Sequence, residues 1–154
     1  MQYWGEQMKE VKFTVAGIPK GKGRPRVVRR QGFSMTFTPD ETIAYENLIK
    51  VEYGIQTNHY KFSNGAFLEM RIDAYYPIPK SVSKKRHEMM LSGELLPAKK
   101  PDIDNIVKCI ADSLNNIAYK DDTQIVVLKC RKHYSDDPCV EVTIKEIGID
   151  PLKE

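Results

Sequence analysis

A nine-residue stretch, Lys100-Pro101-Asp102-Ile103-Asp104-Asn105-Ile106-Val107-Lys108, sets two carboxylates two residues apart, then an amide, then a lysine four residues after the second carboxylate. A further acidic pair, Asp121-Asp122, follows. Clustered aspartates repel one another unless a cation or a set of donors neutralises them. A cluster offering only oxygen ligands suits Mg²⁺ or Mn²⁺ rather than zinc. The chemistry suggested is therefore a hard divalent cation working on phosphate.

Helical geometry sharpens that suggestion. At about 100° per residue, Ile103, Ile106, Val107, Ile110, Leu114 and Ile117 fall on one arc and predict a buried face. Asp104, Lys108, Asp112 and Asn115 fall on the opposite arc, with Asp104, Lys108 and Asp112 stacked one turn apart. Inside the helix, Asp102 would point about 160° away from Asp104, and the two could not share a cation. Pro101 favours extended geometry beside it, and Asp is a good N-cap. If Asp102 is still extended, the period-2 rule returns its side chain to the side of Asp104. Negative charge is stabilised there by the helix dipole. A plainer arrangement uses the same residues: an amphipathic helix with an Asp–Lys pair, Asp102 only a cap, Asp121 and Asp122 only turn residues.

Several elements must position these groups. Val11–Ala16 alternates like a strand and ends at Gly17-Ile18-Pro19. Two glycines and a proline keep residues 20–26 irregular. Residues 31–38 suit a short strand. Pro39-Asp40 opens a helix over about Glu41–Tyr53, with Ile43, Ala44, Leu48, Ile49 and Val51 as its expected core stripe. Gly65–Tyr76 reads as a long strand, with Leu68, Met70, Ile72, Ala74 and Tyr76 on one face, stopped by Pro77 and Pro79. Ser81 or Ser83 can cap a short basic helix that Gly93 ends. Strands near Thr123–Tyr134 and Cys139–Ile147 flank the turn Asp136-Asp137-Pro138 and are expected to form an antiparallel hairpin. The fold class expected is mixed α/β: one domain spanning 1–154, a mixed β-sheet with helices, the order β-α-β-α-α-β-β, and 1–9 a loose N-terminal extension.

A chain of 154 residues is enough for one domain with a real core. The net charge is only +3, but its distribution is uneven. Residues 20–30 hold Lys20, Lys22, Arg24, Arg26, Arg29 and Arg30 and no acid; residues 80–100 hold Lys80, Lys84, Lys85, Arg86, Lys99 and Lys100. Such concentration is the footprint of a polyanion binder, or of a solvated basic face. Phe33, Phe37 and Tyr75 could stack on opened bases, although core packing is the ordinary role of such rings. Cys109, Cys130 and Cys139 are odd in number and lack C-x-x-C spacing, which argues against a disulfide framework or a zinc knuckle. Reduced cysteines, no apolar run near ~20 residues and no signal-like start point to a cytoplasmic protein. His59, His87 and His133 lack ligand spacing and are expected to be surface or packing residues.

Lys100–Lys108, then Asp112 and Leu114, then Tyr119-Lys120-Asp121-Asp122-Thr123-Gln124-Ile125-Val126 resembles the motif of the RusA family of Holliday junction resolvases. The pattern is D-[LI]-D-N-[LI]-x-K, a D-A-L-like stretch, and D-D-x-Q-[VI]-V, and every charged position of it is present. The resemblance implies a Mg²⁺-dependent endonuclease, Mn²⁺ a possible substitute, acting as a homodimer on four-way DNA junctions in recombination and repair. It implies Asp102, Asp104 and Asp122 as metal-binding acids and Lys108 as the catalytic lysine, with Asn105, Asp121 and Gln124 supporting. Phosphate contacts are expected from Lys22, Arg24, Arg26, Arg29, Arg30, Lys84, Lys85, Lys99 and Lys100. The insert at 81–98 and the Gly/Arg-rich loop at 21–26 resemble longer phage or prophage members. A nuclease for flaps, forks or replication intermediates, or a non-catalytic branched-DNA binder, are the alternatives.

Overall fold

The computed structural model describes residues 8–23, 26–37 and 40–148; Arg24 and most of the expected N-terminal extension lie outside the described residues, and Arg26, Arg30 and Phe37 are described by backbone alone. The elements are β1 (Glu10–Ala16), β2 (Arg26–Arg30), β3 (Phe33–Phe37), α1 (Asp40–Thr57), β4 (Phe67–Pro77), α2 (Lys84–Ser92), α3 (Ile103–Ser113), β5 (Ile125–Ser135) and β6 (Cys139–Ile147). A 3-10 turn, Asp122–Gln124, leads into β5.

Four strands form one mixed sheet in the order β1-β6-β4-β5. The alternation expected of β4 is present: Leu68, Met70, Ile72, Ala74 and Tyr76 are all buried. They meet Val11, Phe13 and Val15 of β1 and Val140, Val142 and Ile144 of β6 in one core, closed by side chains of α1 and α3. The opposite face carries charge. Asp73 bonds Arg71 (3.0 Å) and His133 (2.7 Å), and Lys129 pairs with Glu69 (3.3 Å). Burial alone would raise the Asp73 pKa, but the bonds from His133 and Arg71 outweigh it and hold the carboxyl below its ordinary value.

Three expectations need correction. The last two strands do not pair: β5 runs parallel to β4 on one side, and β6 runs antiparallel to β4 on the other. Crossing two strand spacings takes about 10 Å. The four Cα steps from Ser135 to Cys139 reach further than that, at ~3.8 Å each, so a short turn does not require its strands to be neighbours. Second, the buried side of α1 is Thr42, Tyr45, Ile49 and Tyr53, whereas Ile43, Ala44, Leu48 and Val51 are exposed. Tyrosine carries much of this interface; Tyr53 packs edge-on against Phe13 and donates its hydroxyl to the Tyr60 carbonyl at 2.6 Å. The helix also runs four residues beyond Tyr53, to where Asn58 and His59 turn left-handed (both φ 55°). Third, residues 26–30 form a strand that pairs with β3 as a separate two-stranded ribbon.

Helix α2 is capped as its sequence requires. Ser83 Oγ accepts from the Arg86 N–H at 3.2 Å, and Gly93 ends the helix at φ 84°. The crossover from β4 to β5 carries both α2 and α3, which contact β5. Parallel neighbours need such a crossover, and it places the acidic motif against the sheet's β5 side.

Candidate active site

The site is built on α3 and the turn before β5. Ile106, Cys109, Ile110 and Leu114 are buried, which fixes the helix by its apolar side. Ile103 and Ile117, expected on that face, are exposed (44% and 36%) because they lie at or beyond the helix ends, clear of the core. Cys109 takes a central place in the core, and burial pushes its thiol up to about 12. None of the three cysteines is in a disulfide.

Asp102 is the N-cap residue in extended conformation (φ −69°, ψ 154°), and its side chain makes no capping hydrogen bond. Its carboxylate is therefore not consumed by the helix it precedes, while its carbonyl accepts from the Ile106 N–H at 3.0 Å. Asp104 stands in the first turn, and Asp102, Asp104 and Lys108 are all exposed. Tyr76, from the end of β4, donates its hydroxyl to the Pro101 carbonyl at 2.5 Å, tying the motif's start to the sheet.

The acidic pair is held from several directions. Asn115 Oδ1 accepts from the Asp122 N–H at 2.9 Å. Gln124 Oε1 accepts from the N–H groups of Lys120 (3.1 Å) and Asp121 (3.4 Å), and its Nε2 donates to the carbonyls of Ser63 (2.9 Å) and Ala66 (3.1 Å). Tyr119 is fully buried and donates to the Ala111 carbonyl at 2.7 Å. Asn115, Tyr119 and Gln124 thus fix where Asp121 and Asp122 sit.

The structure brings Asp122 next to Asp112, a residue that sequence placed on the polar arc of α3 and in the motif without giving it a role. Burial raises the Asp122 pKa first, and the adjoining carboxyls of Asp121 and Asp112 raise it further. Asp112 lies two turns, about 12 Å along the axis, beyond Asp104. The acids therefore group at two places: Asp102 and Asp104 at the start of α3, and Asp112, Asp121 and Asp122 at its end. Lys108 stands one turn from each. Among the described residues no three acidic, histidine or cysteine side chains converge on one point as a metal-ligand set. The donors are nonetheless all hard oxygens, and the crowding at Asp122 is the kind that a divalent cation relieves.

The glycine-rich loop lies against this helix. The Lys22 N–H reaches the Asn105 carbonyl (3.4 Å), and the Gly23 N–H reaches Thr42 Oγ1 (3.1 Å). A Cβ at Gly21 would meet Asn105 Nδ2 at 2.7 Å, so the close approach depends on glycine. Lys22, expected as a phosphate contact, turns inward and bonds Asp112 Oδ2 at 2.6 Å. Its pKa is raised, chiefly by that hydrogen bond and against the effect of burial.

Arg29, Lys84, Lys85, Lys99 and Lys100 are exposed, and Lys99 also lies over the Tyr134 ring (5.6 Å). Phe33 is not in the core: it is 75% exposed beside the Gln31-Gly32 turn of the β2–β3 ribbon. Tyr75 stacks on His133 at 4.6 Å. His87 pairs with Asp136 (2.8 Å) and His59 packs on Gly54, so all three histidines have structural partners. Among the described residues no helix is long and apolar enough to cross a membrane.

Residues 16–145 match the family of the endodeoxyribonuclease RusA. The uncharacterized protein YqaN of Bacillus subtilis (strain 168) is 40% identical over 140 residues, covering 90% of this chain and 97% of its own. With a family match across nearly the whole described fold, this chain belongs to the RusA endodeoxyribonuclease family.

Proposed function

We propose that this protein is a Mg²⁺-dependent endonuclease that resolves four-way DNA junctions in recombination and repair, working as a cytoplasmic homodimer. The observation that carries the reading is the α3 surface itself. Asp102 stands uncapped outside the helix, Asp104 and Lys108 are exposed on it, and Asp122 is held at its far end by Asn115. A protein that only bound DNA would gain nothing from carboxylates facing phosphate.

Asp102 and Asp104 at one end of α3, and Asp122 at the other, would hold Mg²⁺, or Mn²⁺ in its place. The metal, when bound, supplies an activated water and charge neutralisation. The chain's own residues do the rest. The N-terminus of α3 presents Asp102 and Asp104 together at the start of the motif. Lys108 offers a point charge to the negative charge that develops on the phosphate. Gln124 and Asn115 prevent the Asp121–Asp122 turn from drifting. The products are a 5′-phosphate and a 3′-hydroxyl. Sequence-independent phosphate contacts come from Arg24, Arg26, Arg29 and Arg30 of the basic segment, with Lys84, Lys85, Lys99 and Lys100. The exposed Phe33 on that basic ribbon suits stacking at an opened branch.

A junction presents two equivalent strands, which a two-fold dimer matches. Exposed apolar side chains support association: Leu48, Val51 and Ile55 along α1, and Val126, Val127 and Leu128 on the edge strand β5.

Asp104→Asn tests the reading on a synthetic four-way junction with Mg²⁺. Cleavage should be abolished while binding is retained or strengthened; retained cleavage refutes the assignment. Flaps and forks assayed alongside decide the substrate. Paired, symmetric incisions on the junction support resolution, and faster cutting of flaps replaces it with flap processing.

A further inference from the structure

The inward turn of Lys22 gives this residue a task different from the other cations of its segment. Its ammonium is 2.6 Å from Asp112 Oδ2, and both side chains are about one-third exposed (31% and 29%). Asp112 in turn adjoins Asp122. The loop that delivers the lysine is held at three neighbouring positions. Gly21 packs on Asn105, the Lys22 N–H reaches the Asn105 carbonyl, and the Gly23 N–H reaches Thr42 Oγ1. A surface lysine finding a chance partner would not need its backbone fixed on both sides.

We propose that Lys22 is the built-in counter-ion of the acidic centre: its ammonium neutralises the Asp112–Asp122 pair and competes there with a divalent cation. The inference rests on the metal-dependent reading above and deepens it. An ammonium and a hydrated Mg²⁺ are both hard cations drawn to carboxylate oxygens, and two cations at one pair repel each other. Lys22 would thereby hold Asp112 beside Asp122 before the metal arrives and set how tightly it is then held. Because the lysine lies on the basic segment, its displacement frees a positive charge next to the phosphate-binding surface.

The test is metal binding rather than cleavage. MnCl₂ is titrated calorimetrically into the full chain without DNA, for wild type, Lys22→Gln, Lys22→Met, Lys22→Arg and Asp122→Asn, with thermal melting in EDTA as a check on folding. Lys22→Gln can still hydrogen-bond Asp112 but carries no charge. Loss of one unit charge at this partly buried depth should tighten Mn²⁺ binding about fivefold to tenfold in the Gln and Met variants. Lys22→Arg should stay near wild type, and Asp122→Asn should weaken binding more than tenfold. Unchanged or weaker binding in both neutral variants, with a lowered melting temperature, would overturn the proposal and leave Lys22 a structural clamp. If wild type and Asp122→Asn take up Mn²⁺ alike, the metal centre at Asp122 itself falls, and this inference with it.

Discussion

Gln124 is the residue whose replacement tests the architecture of the acidic turn most sharply. Its amide makes four hydrogen bonds, two accepted by Oε1 and two donated by Nε2, joining the Lys120–Asp121 backbone to the Ser63 and Ala66 carbonyls. One of the four is long, at 3.4 Å, and water can replace part of the exposed set. At a net value of roughly 0.5–1.5 kcal/mol per bond, Gln124→Ala should cost about 2 kcal/mol. Gln124→Glu has the same shape and keeps both acceptances, but it sets a carboxylate oxygen against two carbonyl oxygens where a donor stood. An acceptor-only group so placed carries a desolvation and repulsion penalty, so the loss should rise to about 3 kcal/mol at pH 7. For a chain of this size that is a fall of about 6–12 °C in melting temperature.

The pH dependence has a definite sign. In Gln124→Glu, two carbonyls facing the introduced carboxylate raise its folded-state pKa above the unfolded value of about 4.3. The folded variant then binds the extra proton, so its stability falls as pH rises through that window. The deficit relative to wild type is complete above the folded pKa. It shrinks as pH falls through that value and is smallest below about 4.3, where the acid hydroxyl can donate to one carbonyl. Urea denaturation of both variants at pH 4 and pH 7 reads this directly. A Glu variant more stable than the Ala variant at pH 7, or a deficit unchanged between the two pH values, would refute the bonding described for Gln124.

Lys108→Ala should slow junction cleavage by about 10²-fold or more while weakening binding only a few-fold; an equal loss in both would make Lys108 a DNA contact only. Lys84→Ala combined with Lys85→Ala should leave cleavage at saturating DNA unchanged and flatten the plot of log affinity against log salt by about 1.8, at roughly 0.9 per phosphate contact. An unchanged slope would remove α2 from the DNA surface.

What was legible in the sequence was what local chemistry decides. Ser83 and Gly93 bound α2 because an N-cap oxygen and a left-handed glycine have no equally good substitutes there. The alternation of β4 was clear because one of its faces is wholly apolar. Asp102 was placed outside α3 by the proline before it and the geometry after it. What stayed hidden depends on distant partners. The core face of α1 is made by Tyr45 and Tyr53, whose rings pack while their hydroxyls lower any hydropathy score. Pairing of β5 with β4 rather than β6 is decided by the whole crossover, to which a turn of three residues is blind. The meeting of Lys22 with Asp112 spans 90 positions, a separation at which neither periodicity nor motif spacing carries a signal.

The strand order β1-β6-β4-β5 also has a consequence for how the protein is made. Among the described residues, β6 is laced between β1 and β4, so β1 has no partner in the main sheet until β6 has left the ribosome. The acidic motif is complete in sequence by Asp122, yet the sheet beneath it closes only with residues 139–147. Because long-range pairing of this kind comes late in folding, a chain without β6 would carry every acid and lysine of the motif without the rigid support beneath them. The arrangement of the acidic centre would thus wait for residues 139–147.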